Sequence, residues 1–441
     1  MPIFDVFARS VQADGPARTE RRMWIRRLFR PGENEPASRV SEETSLWFIF
    51  WTFLKIGSVA FGGFMSLISF IDSIVVKRHK LISHEEMLDA ISLANLLPGP
   101  QAVNVVAFVG YRLRGAMGAL VATTSIILPS FFLVLVLSYF YFQYGHLPAL
   151  QKVFQGFIPA IAAIVLSVVW RMSKKTISGK KEVSLLVVSL LLITVTPLEY
   201  RVYAPIAIIG ICGLLGYMYF YDKNIVTPES ASEKFTLSKI IFPVTLLSIV
   251  FLLWFLPLSY ERDSLVLLTL TFASMSLILF GGGYVFIPII GSIVVLQYGW
   301  VSQQEFTDGI ALGQITPGPI LISATFIGYK VAGLIGAILA TIAIFAPPAI
   351  LMITATKVLD YIKQSPVTQA AIRGIHCGVI GMILMAAFVI LNSSLPERDF
   401  DLMIIWPTLA IFVLSLIALI KLKLDVVWVI PGAGIIGYLL F

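Results

Sequence analysis

From Leu46 to Phe441 the chain alternates between apolar runs and short polar or Gly/Pro breaks. In the first half, apolar pieces over 46–60, 64–77, 85–97 and 101–113 are divided by Phe61-Gly62-Gly63, a polar stretch around Ser83 and Glu86, and Pro98-Gly99-Pro100. Each piece makes a helix of about 20 Å at 1.5 Å per residue. A hydrocarbon core of roughly 30 Å needs about 20 residues, so the pattern predicts re-entrant helix pairs instead of single crossings. The second half predicts the same over 265–279, 284–296, 305–316 and 320–331. Runs long enough to cross are expected at 115–138, 153–170, 183–198, 203–220, 239–257, 333–355, 374–392, 402–420 and 426–441.

The two halves are copies of one pattern. Phe61-Gly62-Gly63, Ser73-Ile74-Val75-Val76, Ser83, Glu86, Asp89 and Pro98-Gly99-Pro100 recur 219 positions later as Phe280-Gly281-Gly282, Ser292-Ile293-Val294-Val295, Ser302, Glu305, Asp308 and Pro317-Gly318-Pro319. One residue is then lost. At a spacing of 218, Gly110-Tyr111, Gly115, Pro129 and Gly156 meet Gly328-Tyr329, Gly333, Pro347 and Gly374. Duplicated apolar helices interrupted at matching Gly/Pro points indicate a secondary transporter with its substrate site at the breaks. The expected fold is an all-α polytopic membrane protein of two inverted-topology repeats with broken or re-entrant half-helices. Residues 1–44 form a basic tail, 45–260 the first repeat with connecting helices, and 261–441 the second.

Charge sets the expected orientation. Only 13% of residues are charged, 58% are hydrophobic and the mean hydropathy is +0.90, against about 25% charged in soluble domains. The tail carries Arg9, Arg18, Arg21, Arg22, Arg26, Arg27, Arg30 and Arg39 without an apolar core, so it reads as a disordered cytoplasmic segment and not a signal peptide. With the tail inside, 26 of the 32 Lys and Arg fall inside, as the positive-inside rule requires. Five crossings then separate the copies, an odd number, which inverts one against the other. The chain is expected to cross a lipid bilayer many times with its N-terminus cytoplasmic, with room for a homodimer.

Candidate chemistry sits at the breaks. Pro98 has no N–H to donate and drives Leu97 out of helical geometry. Gly99 permits a sharp turn, and Pro100 suits the first position of a new helix. A helix starting inside the membrane aims free N–H groups and a positive dipole end at an anion. Irregular backbone at that depth survives only where protein or water lines it. A kink that only shapes packing is the alternative. Pro317, Gly318 and Pro319 repeat the device. Gly62, Gly63, Gly281, Gly282 and Gly283 mark breaks where a ligand approaches bare backbone or helices pack closely. Asn95, Gln101, Asn104 and Gln314 flank the turns as oxyanion donors or interhelical contacts. Lys55, inside an apolar run, is either an anion ligand or a snorkelling cation; its counterpart is Ser274. Ser83-x-x-Glu86 and Ser302-x-x-Glu305 form capping boxes. Asp89 and Asp308 lie one turn further in, as proton-titrating carboxylates or partners of Arg112 and Lys330.

Cys212 and Cys377 lie in apolar segments and suggest neither a disulfide nor a metal site. No nucleophile elbow, Walker loop or zincin pattern occurs. Neither an enzyme, a cofactor nor nucleic-acid binding is expected.

Phe61-Gly62-Gly63, the spacer with Glu86 and Asp89, Pro98-Gly99-Pro100 and Gly110-Tyr111-Arg112-Leu113-Arg114-Gly115 together resemble the chromate ion transporter family in its long two-domain form. Phe280-Gly281-Gly282-Gly283-Tyr284 and Pro288 resemble its second half. The likeness covers about residues 45 to 441. It implies an inner-membrane exporter of chromate, a sulfate-like dianion, driven by the proton motive force or membrane potential. Sulfate or another small oxyanion is the alternative cargo.

Overall fold

The computed structural model describes residues 44–61, 63–145, 147–197, 203–221, 245, 248, 265–280, 283–356, 366–393 and 402–441. Within them the expected short helices appear. Ser45 starts α1 (Leu46–Val59) by accepting from the Trp47 N–H, and Ile49, Phe53 and Ile56 bury one face. Helix α2 (Gly63–Ile71) runs on into a π turn, Asp72–Arg78. Helix α3 (His84–Leu96) begins at a complete Ser83/Glu86 capping box. The expected run 64–77 is therefore an α-helix that widens halfway, where His79 N–H reaches the Ile74 carbonyl.

Helix α4 (Gln101–Tyr144) contains both the predicted half-helix and the span after it, joined through a sharp break. Arg114 and Gly115 leave helical geometry there, and Gly115 has φ +57°, a left-handed value that glycine adopts without a Cβ penalty. The arms fold back on each other. A Cβ on Gly110 would stand 2.5 Å from the Gly118 carbonyl oxygen, and one on Gly118 2.2 Å from that of Gly110. After α4 come α5 (Pro148–Thr176), α6 (Lys180–Val195) and α7 (Ala204–Phe220).

The second copy repeats these forms. Helix α8 (Leu265–Ser276) precedes a 3₁₀ turn at Gly283–Val285, α9 (Phe286–Gly291) and a second π turn, Ser292–Gln297. Helix α10 (Gln303–Ile315) has the second capping box. The residue lost between copies is absorbed after Pro319, where a 3₁₀ turn, Ile320–Ile322, opens α11 (Ser323–Thr356). A 3₁₀ turn takes fewer residues per turn than an α-helix. Helix α11 breaks at Ala332–Gly333 as α4 does. Helices α12 (Pro366–Ser393), α13 (Leu402–Ile420) and α14 (Val426–Leu440) complete the chain. Four helical stretches, 101–144, 148–176, 320–356 and 366–392, are long and apolar enough to cross a bilayer among the described residues. The expected span 239–257 lies outside them.

The copies interlock reciprocally. Within each copy α1 lies on α4 and α8 on α11; between copies α4 meets α11 and α5 meets α12. Helix α5 also packs on α13 and α14 of the second copy, as α12 packs on α6 and α7 of the first. The close contacts are alike in kind: Gly156 faces the Ala433 carbonyl and Gly437, while its counterpart Gly374 faces the Cys212 carbonyl and Gly216. Arg373 on α12 adds an ion pair to the buried Glu182 at 2.5 Å and stacks over Phe220.

The long arm of α4 (116–144), about 43 Å at 1.5 Å per residue, has a different copy's residues at each end. At its start, Arg114 donates to the Thr44 carbonyl, and neighbouring Arg112 pairs with Glu86. At its finish, Tyr141 donates to Asp308, and Phe142 lies under the Lys330 ammonium.

Candidate functional site

Each Pro-Gly-Pro turn is a helix end followed by a helix start, and it is buried throughout. Leu97 and Thr316 leave their helices extended. Gly99 has φ +101° and Gly318 φ +119°, values that disfavour any residue with a side chain. Pro100 and Pro319 then open α4 and the helical stretch through α11, and at neither start does a side chain cap the backbone. Four N–H groups at a helix start have no intrahelical partner. Without a cap, those of Gln101, Ala102, Ile320 and Leu321 remain as donors, next to the positive dipole end.

The turns are held by the opposite copy. Gly99 N–H donates to the Leu279 carbonyl at 2.8 Å, and Gly318 N–H to the Ala60 carbonyl at 3.0 Å. Leu279 and Ala60 are equivalent residues, each immediately before a Phe-Gly-Gly break. So the Pro-Gly-Pro turn of one copy is hooked to the residue that precedes the Phe-Gly-Gly break of the other, twice. Behind Gly99 stands Pro348, and behind Gly318 stands Ser130, again equivalent positions. Spacing alone did not indicate Ser130, Pro348, Ala60 or Leu279, because their role arises between copies.

Among the flanking amides, Asn104 and Gln314 differ in use. Asn104 is fully buried and its Nδ2 donates to the Pro98 carbonyl at 3.0 Å, so it fastens the turn. Gln314 is 7% exposed, and its amide faces the Tyr284 hydroxyl, just after Gly283 and within electrostatic reach of Arg171 on α5; an amide has two N–H donors, so one is left for another acceptor. Asn95 and Gln101 are half-buried. Gly63 opens α2 and Gly283 opens the 3₁₀ turn, whereas Gly62, Gly281 and Gly282 lie outside the described residues.

Of the two readings of Lys55, the structure places it on the exposed side of α1, away from the face that buries Thr52, Phe53 and Ile56. Packing α1 on α4 uses the other face, so Lys55 keeps its head outward, as a long cationic side chain does. Lys55→Gln is expected to leave anion flux into vesicles within about two-fold of wild type; a ten-fold loss would place Lys55 in the site. The capping glutamates, not Asp308, meet the cations that the spacing offered as carboxylate partners. Arg112 and Lys330 go to Glu86 and Glu305, at 3.9 and 2.8 Å. Each glutamate divides its carboxylate: Oε2 accepts from the capping serine N–H and Oε1 faces the cation. Asp308 is fully buried on α10, and Asp89 half-buried on α3. Among the described residues no three His, Cys, Asp or Glu side chains gather as a metal site.

The chain is similar to known proteins over most of its length. A family profile described as chromate transporter fits the chain twice, over residues 47–217 and 266–438. An uncharacterised transporter of Methanocaldococcus jannaschii is 32% identical over 395 residues, covering 89% of this chain and 94% of that protein. A chromate transport protein of Cupriavidus metallidurans is 27% identical over 386 residues, 87% of this chain and 90% of its own. An uncharacterised transporter of Bacillus subtilis, YwrA, is 28% identical over 173 residues, which is 39% of this chain and 94% of that protein, so one copy is matched by a whole separate chain. No solved structure matches at a significant level. With both halves fitted by the same profile across most of the sequence, the chain belongs to the chromate transporter family.

Proposed function

We propose that the protein exports chromate across the inner membrane by alternating access between two oppositely oriented copies. The cargo would sit where the two Pro-Gly-Pro helix starts meet the Phe-Gly-Gly breaks, held by backbone N–H groups of Gln101, Ala102, Ile320 and Leu321 and by the Gln314 amide. Family membership supports chromate as cargo, and the Cupriavidus metallidurans relative carries that name. The observation that carries the reading is the reciprocal hook of Gly99 to Leu279 and Gly318 to Ala60. It brings two uncapped, buried helix starts under the control of both copies, so a movement of one copy against the other alters both anion sites at once.

Opposite orientation is supported by the ends of α4. The Glu86–Arg112 pair lies at one end of its long arm, and the equivalent Glu305–Lys330 pair lies near the other. With the basic tail in the cytoplasm, the Thr44 end is inside. Moving one charge through the potential is worth ~2.3 kcal/mol per 100 mV, so a dianion leaving an inside-negative cell gains about 4.6 kcal/mol per 100 mV. Export is downhill on potential alone, and protons add to it.

Sulfate has the same shape and charge as chromate and satisfies the same donors. Inverted membrane vesicles loaded against labelled chromate and labelled sulfate separate the two. Chromate uptake that sulfate in ten-fold excess fails to displace supports the reading. Uptake of sulfate alone transfers the site to the other dianion, and uptake of neither removes the function.

A further inference from the structure

The chain has a second polar site, away from the Pro-Gly-Pro turns, and its chemistry is acidic. A cleft of about 270 Å³ is lined by Tyr141, Gln151, Phe154, Ser302, Glu305 and Asp308, among others. Two carboxylates make it unsuited to a doubly negative cargo. Glu305 is already engaged, one oxygen on the Ser302 N–H and the other on Lys330. Asp308 is not. Its exposure is 0%, its Oδ2 accepts from the Tyr141 hydroxyl at 2.7 Å, and its Oδ1 is buried with no hydrogen-bond partner among the described residues.

A buried carboxylate with a single neutral hydrogen bond is expensive to keep charged. The groups facing it do not neutralise it. Tyr141 from α4 is neutral, Glu305 on the same helix is negative, and Lys330 from α11 is spent on Glu305; α5 presents the uncharged Gln151 and Phe154. A metal cation needs several oxygens converging on it, and here one free carboxylate oxygen is offered. A proton needs only that oxygen.

We propose that Asp308, hydrogen-bonded by Tyr141, is the residue that takes up the coupling proton, and that it does so from the cleft at the outer end of α4. The proposal rests on the transport reading above and names its proton site. The Tyr–Asp pairing belongs to the second copy's aspartate. Asp89, the counterpart of Asp308, is half-buried, and the position equivalent to Tyr141 is Leu359, which has no hydroxyl. One copy thus carries the proton site, although both carry an anion-binding turn. The cleft is at the end of α4 opposite Thr44, so with the tail inside it opens outward. A proton entering there and leaving inside runs down the proton motive force as the dianion goes out.

Two measurements test this on the full-length protein. In proteoliposomes with the potential clamped, wild-type chromate flux should rise when the side facing the cleft is acidified, with a matching signal from a pH-sensitive dye. Asp308→Asn should lose at least ten-fold of that stimulation, and Tyr141→Phe should move its pH profile. Asp308→Asn retaining the wild-type response, or Asp89→Asn losing it in its place, overturns the proposal. The second measurement needs no transport. Dicyclohexylcarbodiimide, an apolar reagent that adds to protonated carboxyl groups, should label the Asp308 peptide in wild type, less as pH rises, with a different pH profile in Tyr141→Phe. No label on Asp308 at any pH overturns the proposal even if chromate moves. Label on Asp308 with no flux in wild type sinks the transport reading and leaves the proton site standing.

Discussion

Gly99→Ala is expected to abolish chromate export while the protein still reaches the membrane in normal amounts. Two costs combine. The backbone has φ +101°, where a side chain is strained by about 1–3 kcal/mol. The new Cβ would also stand 2.3 Å from Pro348 Cβ and 2.6 Å from its Cγ, and a proline ring cannot rotate away. The turn must shift, and with it both the bond from Gly99 N–H to Leu279 and the free donors at the start of α4. Gly318→Ala should be milder, because the nearest atom is the Ser130 hydroxyl at 2.8 Å, which can rotate, although the φ of +119° remains costly. The check is chromate resistance and vesicle flux at matched protein levels. Loss of at least ten-fold for Gly99→Ala and a smaller loss for Gly318→Ala are expected. Full activity of Gly99→Ala would remove the Pro-Gly-Pro turn from the site.

Gly374→Leu is expected to prevent assembly altogether, and Gly156→Leu to do the same. At Gly374 a Cβ would meet the Cys212 carbonyl oxygen at 2.1 Å and Gly216 Cα at 2.5 Å. At Gly156 it would meet the Ala433 carbonyl oxygen at 2.3 Å and Gly437 Cα at 2.9 Å. These are backbone-to-backbone contacts, and small residues are what permit such approach between membrane helices. A leucine forces α12 off α7, or α5 off α14, and each is a principal junction between the copies. Fluorescence-detected gel filtration in detergent should show no monodisperse peak for either variant. Gly210→Leu and Gly432→Leu have nothing within 4 Å of the new Cβ and should elute as wild type. A folded Gly374→Leu would mean the two copies are held together elsewhere.

These effects also show which parts of the molecule were legible in the amino-acid order. The helix starts at Gln101 and Ile320 were legible because Pro and Gly act on their own neighbours, whatever the tertiary context. So were both capping boxes, which span only four residues. The π turns were not. Shifting a hydrogen bond from i−4 to i−5 leaves the apolar pattern of Ser73-Ile74-Val75-Val76 intact, so nothing local reports it. The two readings of Lys55 stayed level in the sequence for a related reason: composition places it in a membrane helix, but exposure depends on which face α4 covers. That Glu86 reaches Arg112 as well as its capping serine was hidden too, since it turns on where Arg112 emerges from a folded-back helix.

The duplication, the membrane class, the break points and the positive donors at two buried helix starts follow from sequence alone, because each depends on residue type and short-range spacing. The fold added the pairing of those breaks across copies, Gly99 to Leu279 and Gly318 to Ala60, and the meeting of Tyr141 with Asp308 across 167 positions. Those contacts are set by how long helices cross, and a local pattern holds no information about which distant backbone or side chain a helix will reach.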